Sequence, residues 1–200
     1  MTRFSDIQID ADTVAAARRG EPAALERIYV GCSAAVYTLI RRLVRRPAVA
    51  EDLLQETFAD VIQHIGSFEG RAPLQMWIRS IAVRRSLMYL RSPWHRSLEW
   101  LELRPESEPT TPSDAGRVEG GADLELMLSS LPATARAVVW LYHVEGYTHP
   151  EIAAALGRTV SFSKSQLSRA HARLRLAFGH DAPAPAGLEE TRVCTPISTN

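Results

Sequence analysis

The chain contains helix-forming sequence in two stretches, which are separated by a segment rich in proline and glycine. Ala, Leu, Arg and Glu dominate residues 12–90 and 123–178, and these stretches lack the alternation of β-branched residues that is typical of strands. Residues 92–122 instead carry proline, glycine, serine and threonine, which favour turns and linkers. We therefore predict an all-α protein with two small helical domains joined by a flexible linker.

This division predicts five segments along the chain. Short breaks within the first helical stretch are expected at Gly20, Pro47, Gly66 and residues 70–73. The C-terminal tail lacks helical periodicity, and we expect it to be disordered. The predicted segments are an N-terminal segment, a first domain, the linker, a second domain and the tail, at residues 1–12, 13–91, 92–122, 123–178 and 179–200.

The cysteine, histidine and hydropathy patterns argue against several classes of protein. Cys32 and Cys194 lie far apart and the six histidines are scattered singly, so we expect no disulfide framework, no metal site and no cofactor. No apolar run reaches the roughly 18 residues of a membrane-spanning helix, and residues 1–13 lack the apolar core of a signal peptide. We expect a cytoplasmic protein without membrane insertion. The sequence leaves open whether Cys194 is a reactive thiol or an inert tail residue.

Charge is distributed unevenly, although the chain as a whole has 23 basic and 23 acidic residues. Residues 71–98 carry six arginines and no acid, residues 99–126 carry eight acids and two arginines, and residues 158–177 carry five basic residues and no acid. Two basic patches joined by an acidic segment are typical of a protein that binds a polyanion at two places. The alternative is two solvated helix faces.

The sequence YTHPEIAAALG has the signals of a short helix that ends in a tight turn. Thr148 and Glu151 have the spacing of a capping box, with a proline between them in the first helical turn. Gly157 supplies the turn that ends the helix. A second helix is predicted to begin near Thr159 or Ser161.

This second helix is amphipathic, with Leu167, Ala170, Leu174 and Ala177 on its predicted buried face. Two helices joined by a glycine turn, the second of them basic, are typical of the helix-turn-helix, whose second helix enters the major groove of DNA. The preceding sequence, from Ala133 onward, predicts a third helix that packs behind this pair.

The polar face of the second helix supplies the residues that we expect to contact DNA. This face consists of Ser161, Ser163, Lys164, Gln166, Ser168, Arg169 and Arg173. Lys164 and Gln166 are candidates for reading base edges, whereas Arg169 and Arg173 are candidates for phosphate or base contacts.

Another amphipathic helix is predicted in the sequence AEDLLQETFADVIQHIG. Its predicted buried side consists of Leu54, Phe58, Val61, Ile62 and Ile65, and its acidic outer face consists of Glu51, Asp52, Gln55, Glu56 and Asp60. A solvated face accounts for these carboxylates. The alternative, an acid/base pair for hydrolysis, lacks an accompanying nucleophile or metal site, so we do not expect an enzyme.

Four segments of the chain resemble, in order, the sigma-70-type initiation factors of bacterial RNA polymerase in the extracytoplasmic-function (ECF) group. These segments are GEPAALERIY, AEDLLQETF, SFEGRAPLQMWIRSIA, and LSSLPATARAVVWLYHVEGYTHPEIAAALG with the following KSQLSRAHARLR. The resemblance covers residues 13–91 and 123–177. It implies a region 2 domain, a linker and a region 4 domain.

The resemblance also implies the partners. Asp52, Gln55, Glu56 and Asp60 would bind the clamp helices of the β′ subunit of core RNA polymerase, with opposite charge steering the encounter. Region 4 would read the −35 promoter element through the basic helix, while its apolar side contacts the β-subunit flap. The linker would run towards the RNA exit path, and an anti-sigma factor would hold the protein inactive. The chain would be a monomer within the holoenzyme.

The region 2 loop FEGRAPL and the basic helix after it would engage the −10 element as the DNA melts, through base flipping and stacking. The implied contacts are Phe68, Arg71, Arg79, Arg84, Arg85, Met88 and Arg91. Trp77 is either a stacking residue or a core residue, and its apolar neighbours favour the core.

Two departures from the family pattern bear on promoter preference. Arg84 and Met88 stand where the family usually has Asn and Asp, so we expect an altered −10 preference rather than a loss of function. The usual GTVKSRL reads SFSKSQL here, with Ser161 as an acceptable N-cap and Gln166 in place of an arginine. Glutamine suits adenine, so an unusual −35 sequence is expected as well.

A stand-alone helix-turn-helix regulator is the alternative to a sigma factor. It would account for residues 123–177 but not for the acidic helix or for the sequence SFEGRAPLQMW.

Overall fold

The computed structural model of the protein describes residues 4–92 and 127–178, and within these ranges every regular element is helical. The predicted all-α fold is thereby confirmed. The elements are η1 (Phe4–Asp6), α1 (Ala11–Arg18), α2 (Pro22–Val44), α3 (Pro47–His64), η2 (Ile65–Ser67), α4 (Leu74–Arg91), α5 (Ala133–His143), α6 (His149–Leu156) and α7 (Val160–Phe178). Apart from Ser92, the predicted linker lies outside the described residues, as does the predicted tail with Cys194. The predicted domain boundaries stay predictions.

The helices of the N-terminal unit begin and end at the predicted breaks. Pro22 and Pro47 stand in the first turns of α2 and α3, where a missing backbone N–H is tolerated. Gly20 has a φ of 81° in the turn between α1 and α2, a conformation that favours glycine. Asp10 caps α1, because its carboxylate accepts a 2.7 Å hydrogen bond from the backbone N–H of Thr13.

Helix α2 is the central element of the N-terminal unit and packs against α1, α3 and α4. Its fully buried side chains include Ile28, Val36 and Ile40, and they meet Ile78 and Leu87 of α4 in the core. Among the described helices, only α2 is long and apolar enough to cross a membrane by length and composition. Its position in the core of a helical bundle accounts for the same composition.

The predicted faces of α3 hold at most positions but are wrong at Asp60 and Ile62. Asp60, expected on the outer face, is buried, whereas Ile62, expected in the core, is 57% exposed. Leu53 is buried and Leu54 only partly so. The reason is that Asp60 has a partner inside, since Arg85 of α4 donates hydrogen bonds of 2.7 and 2.5 Å to its two carboxylate oxygens. A carboxylate that is paired in this way can be buried. The polar and apolar pattern of the helix alone placed Asp60 outside, because it contains no information about a partner on another helix.

The C-terminal unit consists of α5, α6 and α7 around a core that includes Val138, Leu141, Ile152 and Leu167. In α6 the predicted capping box is confirmed: Thr148 and Glu151 each bond the other's backbone N–H. Gly157 ends α6 with a φ of 59°, as predicted.

Helix α7 begins at Val160, within the predicted range, but its capping residue differs from the prediction. The hydroxyl of Thr159 accepts a 3.2 Å hydrogen bond from the backbone N–H of Phe162, so Thr159 rather than Ser161 caps the helix. Along the predicted buried face, Leu167 and Ala170 are buried, Leu174 is half-buried and Ala177 is exposed. The buried face therefore fades towards the C-terminal end of α7.

We predict that Leu141→Ala lowers the free energy of unfolding by about 2–5 kcal/mol, because the fully buried side chain would leave a cavity in the core of the C-terminal unit. Leu176→Ala is the matched control, since Leu176 is 87% exposed and its removal should change stability by no more than about 0.5 kcal/mol. Urea unfolding followed by circular dichroism measures both. Equal effects of the two substitutions would contradict the packing described here.

Candidate nucleic-acid interface

The outer face of α7 presents a continuous polar and basic surface. Lys164, Ser165, Ser168 and Arg169 line a shallow open depression on it. Ser161 and Arg173 are also exposed, whereas Gln166 is half-buried. No acidic residue lies on α7, so the charged side chains of this helix all contribute a positive field.

Ser163 does not belong to this surface, which corrects its predicted position. Its side chain has no exposed area, and its hydroxyl oxygen lies 3.0 Å from Nδ1 of His149 in α6. The His149 ring in turn stacks on Tyr142 of α5, with 4.6 Å between the ring centroids. Ser163 therefore helps to fix α7 against the two helices behind it. No local signal in the sequence indicates this role, because His149 is fourteen residues away.

Helix α4 and the loop before it carry the predicted −10 residues, and the structure separates them into two groups. Arg71, Arg84, Met88 and Arg91 are exposed. Phe68, Arg79 and Arg85 face inward to different degrees.

Phe68 is a buried residue rather than an exposed one. Its ring centroid lies 5.2 Å from that of Trp77, and the two ring planes are inclined at 45°. Trp77 is half-buried against the core, in agreement with the packing position that its apolar neighbours favoured. The pair holds the loop of residues 68–73 against the start of α4.

Two arginines of α4 are held by carboxylates within the protein. Arg85 binds Asp60, and this hydrogen bond lowers the pKa of the Asp60 carboxyl below its usual value. Arg79 donates from Nε to Oε2 of Glu145 at 2.6 Å, and Glu145 lies between α5 and α6. Neither partner follows from sequence spacing, since Glu145 is 66 residues from Arg79 and Asp60 is 25 residues from Arg85.

The acidic face of α3 is smaller than predicted. Asp52, Gln55 and Glu56 are exposed, but Asp60 is turned inward towards Arg85. Glu56 also approaches Arg85, with 3.4 Å between its Oε2 and the Nη1 of the arginine. The surface that remains for an electropositive partner is therefore the N-terminal part of α3.

Within the described residues, we find neither a metal-binding group nor a reactive thiol. Within the two described ranges, no three side chains of His, Cys, Asp or Glu are grouped so that they could hold a metal ion. Burial raises the pKa of the Cys32 thiol to about 11, so this thiol is protonated and unreactive at neutral pH.

Comparison with known proteins places both units in one family. Residues 29–96 match Sigma-70 region 2, and residues 122–174 match Sigma-70, region 4. The chain is 34% identical over 152 residues to the ECF RNA polymerase sigma factor SigE of Mycolicibacterium smegmatis, covering 70% of this chain and 56% of that protein. It is 35% identical over 138 residues to the RNA polymerase sigma-E factor of Streptomyces coelicolor, covering 68% of this chain and 75% of that protein.

Another relative is the probable RNA polymerase sigma factor RfaY of Xanthomonas campestris pv. campestris, 30% identical over 156 residues, covering 74% of this chain and 39% of that protein. The chain thus spans less than two thirds of two of these relatives and three quarters of the third. A solved structure of the sigma factor RpoE in complex with the anti-sigma factor NepR, from Bartonella quintana, has a similar fold. Its TM-score is 0.53 at 24% identity, covering 78% of this chain and 97% of that one.

Two histidines behind the basic face of α7 predict how stability responds to pH. Nε2 of His143 in α5 lies 3.0 Å from Nε2 of His171 in α7, so one nitrogen donates its N–H to the hydrogen bond and the other accepts it as an unprotonated nitrogen. Burial lowers the pKa of both imidazoles, and the neighbouring His143 lowers that of His171 further. The unfolded chain therefore binds protons more readily than the folded chain.

The two histidines therefore stabilise the fold fully above the unfolded pKa of about 6.5. This contribution to the free energy of unfolding is lost as the pH falls through that value towards the lowered folded pKa. We expect the free energy of unfolding to fall between about pH 7.5 and about pH 5.5, above the range in which carboxylates titrate. The double variant His143→Gln/His171→Gln should flatten this profile. A parent protein with constant stability over the same range, measured by urea unfolding, would contradict the prediction.

Proposed function

The chain belongs to the sigma-70 family, in the extracytoplasmic-function group, and from this premise we propose that it is the promoter-recognition subunit of a bacterial RNA polymerase. The observation that carries the proposal is that one chain presents exposed basic side chains on both α4 and α7. A protein that contacts two promoter elements needs two such surfaces. The protein itself would catalyse no reaction, and it would act in the cytoplasm as a monomer within the holoenzyme.

We assign −35 recognition to the exposed face of α7. Lys164 and Gln166 lie near the start of the helix, where a recognition helix meets base edges in the major groove. Arg169 and Arg173 lie further along the same helix and would neutralise phosphates. Ser161 and Ser168 complete the surface. Ser163 is buried against His149, so we assign it a structural role and no DNA contact. Gln166 is suited to adenine.

We assign −10 recognition and melting to the side of α4 that bears Arg84, Met88 and Arg91, together with Arg71 in the preceding loop. Flexible cationic side chains can follow a displaced single strand by its phosphates. Arg84 and Met88 differ from the residues usual in the family, so the −10 sequence preference should differ as well. Arg79 can join this surface only after its pairing with Glu145 is broken.

We assign core polymerase binding to Asp52, Gln55 and Glu56 of α3, which would meet the β′ clamp helices. Asp60 would act indirectly, since it holds Arg85 and thereby fixes α3 against α4. The apolar side of the C-terminal unit, where Tyr142 and Val144 are exposed, would contact the β flap. An anti-sigma factor is a further expected partner, because the similar RpoE structure contains one.

Reconstituted transcription tests the proposal. The purified chain is added to core RNA polymerase with a library of genomic fragments, and transcripts are mapped. We expect promoter-dependent transcripts only when the chain is present. Binding of the chain alone to DNA, without initiation on any fragment, would instead indicate a stand-alone helix-turn-helix regulator.

The assignment of α7 predicts how salt affects promoter binding. Each of Lys164→Ala and Arg169→Ala should weaken holoenzyme binding to −35 DNA and reduce the slope of log affinity against log salt by about one, because each removes roughly one phosphate contact. Arg27→Ala is the control, since Arg27 is an exposed cation on α2 rather than on α4 or α7. Fluorescence anisotropy over a salt series measures the slopes. Slopes equal to that of the parent would remove both residues from the interface.

A further inference from the structure

We propose that Asp60 is a positioning residue of the −10 surface, which holds Arg85 away from the displaced DNA strand. The strand is thereby left to the stripe of Arg84, Met88 and Arg91 on the neighbouring side of α4. The inference rests on the proposed function, because it concerns the side of α4 that we assign to the −10 element. It adds that two adjacent arginines of one helix have opposite roles.

The exposed residues of α4 that we assign to the −10 element form one stripe. Arg84, Met88 and Arg91 are separated by four and three residues, a spacing that places them on one face of a helix, and all three are exposed. Met88 is 52% exposed and lies between the two cations. In this arrangement the apolar side chain can contact a base while the cations pair with phosphates on either side of it.

Arg85 lies beside this stripe and is turned towards α3. One residue further along a helix corresponds to a rotation of about 100°. Arg85 donates from Nε to Oδ2 of Asp60 at 2.7 Å and from Nη2 to Oδ1 at 2.5 Å. Two parallel hydrogen bonds of this kind are the strong, geometrically specific way in which an arginine binds a carboxylate. The Arg85 side chain is nevertheless 31% exposed, so only its partner separates it from a strand that follows the stripe.

The burial of Asp60 makes this pairing persistent. Its side chain is 11% exposed, and a carboxylate removed from water requires a partner. The hydrogen bond lowers the pKa of Asp60 and raises that of Arg85, so both groups stay charged at neutral pH. Oε2 of Glu56 lies 3.4 Å from Nη1 of Arg85. Each of the three guanidinium nitrogens therefore faces a carboxylate, and a DNA phosphate has to compete with two acids to reach it.

Arg84 is held much less firmly by the same carboxylate. Its Nη2 lies 4.0 Å from Oδ2 of Asp60, and its side chain is 59% exposed. An ion pair that is this long and this exposed contributes little, so a phosphate can replace it readily. The charge of Asp60 also offsets the repulsion between the two adjacent cations. One buried carboxylate thus assigns Arg85 to the protein and leaves Arg84 to the strand.

This division of roles affects how a base sequence is read. Phosphate contacts set the register of a nucleic acid on a protein but carry no sequence information themselves. If both arginines reached the strand, one phosphate could pair with either of them, and the strand would have two alignments past Met88. With Arg85 withheld, a single alignment remains. Asp60 therefore limits the sequence-independent part of binding and preserves the sequence-dependent part.

Asp60→Asn tests the proposal, because it removes the charge and keeps the shape of the side chain. The released Arg85 should add roughly one phosphate contact, so the slope of log affinity against log salt should steepen by about 0.7 for a single strand. Holoenzyme reconstituted with each variant is titrated by fluorescence anisotropy. The probes are the −10 strand of a promoter mapped by reconstituted transcription and oligo(dT) of the same length, and the ratio of the two affinities should fall.

Asp12→Asn is the matched control, since it makes the same change of charge at an exposed residue of α1 and should leave the slope and the ratio unchanged. The double variant Asp60→Asn/Arg85→Gln removes both members of the pair and should restore the slope of the parent. Far-UV circular dichroism should be the same in all these proteins. In the free chain, the Nε–H proton of Arg85 should exchange slowly with water, as measured by nuclear magnetic resonance, and rapidly in Asp60→Asn.

The outcomes separate the role of Asp60 from the function on which it rests. A slope for Asp60→Asn equal to that of the parent would overturn the proposal, because the pair would then only join α3 to α4. A slope for the double variant below that of the parent would also overturn it, because Arg85 would already contact DNA. An unchanged affinity ratio would overturn the effect on sequence reading. Slow Arg85 exchange that Asp60→Asn abolishes, in a chain whose holoenzyme binds neither strand, would support the pairing and overturn the proposed function instead.

Discussion

A buried guanidinium group needs an anionic or carbonyl partner, and this requirement determines how the helices of this protein fit together. Arg85 pairs with Asp60 and so holds α4 against α3. Arg79 pairs with Glu145 and Arg136 bonds the last carbonyls of α2, and both contacts join the C-terminal unit to the N-terminal one. Apolar packing would tolerate several relative orientations of such helices, whereas a buried charge leaves few that satisfy its hydrogen bonds.

The same requirement separates the cations of the protein by role. Arg79, Arg85 and Arg136 have internal partners and position helices, whereas Arg84 and Arg91 of α4 and the basic residues of α7 are exposed. Helix α7 carries no acidic residue, so its basic side chains have no internal competitor within the helix and remain available to a polyanion. The acidic surface of α3 that we propose for core polymerase lies on a different helix from the basic surfaces that we propose for DNA.

Local signals in the sequence predicted most helix boundaries correctly. The capping box of Thr148 and Glu151, the turn at Gly157 and the breaks at Gly20 and Pro47 are all found where expected. Errors arose where a polar residue has a distant partner. Asp60 and Ser163 were placed outside by their polarity, but Arg85 and His149 satisfy them inside, and neither partner can be identified from spacing along one helix.

The sequence by itself determined the all-α fold, the starts and ends of most helices and the family, because these depend on short-range backbone preferences and on ordered motifs. Only the tertiary structure decided which of the described arginines are paired inside the protein and which are exposed. That outcome depends on pairs as far apart in the chain as Arg79 and Glu145, whose burial makes their mutual hydrogen bonds obligatory. The arginines of α4 look alike in the sequence, and it is their partners that divide them into exposed side chains and side chains that hold helices together.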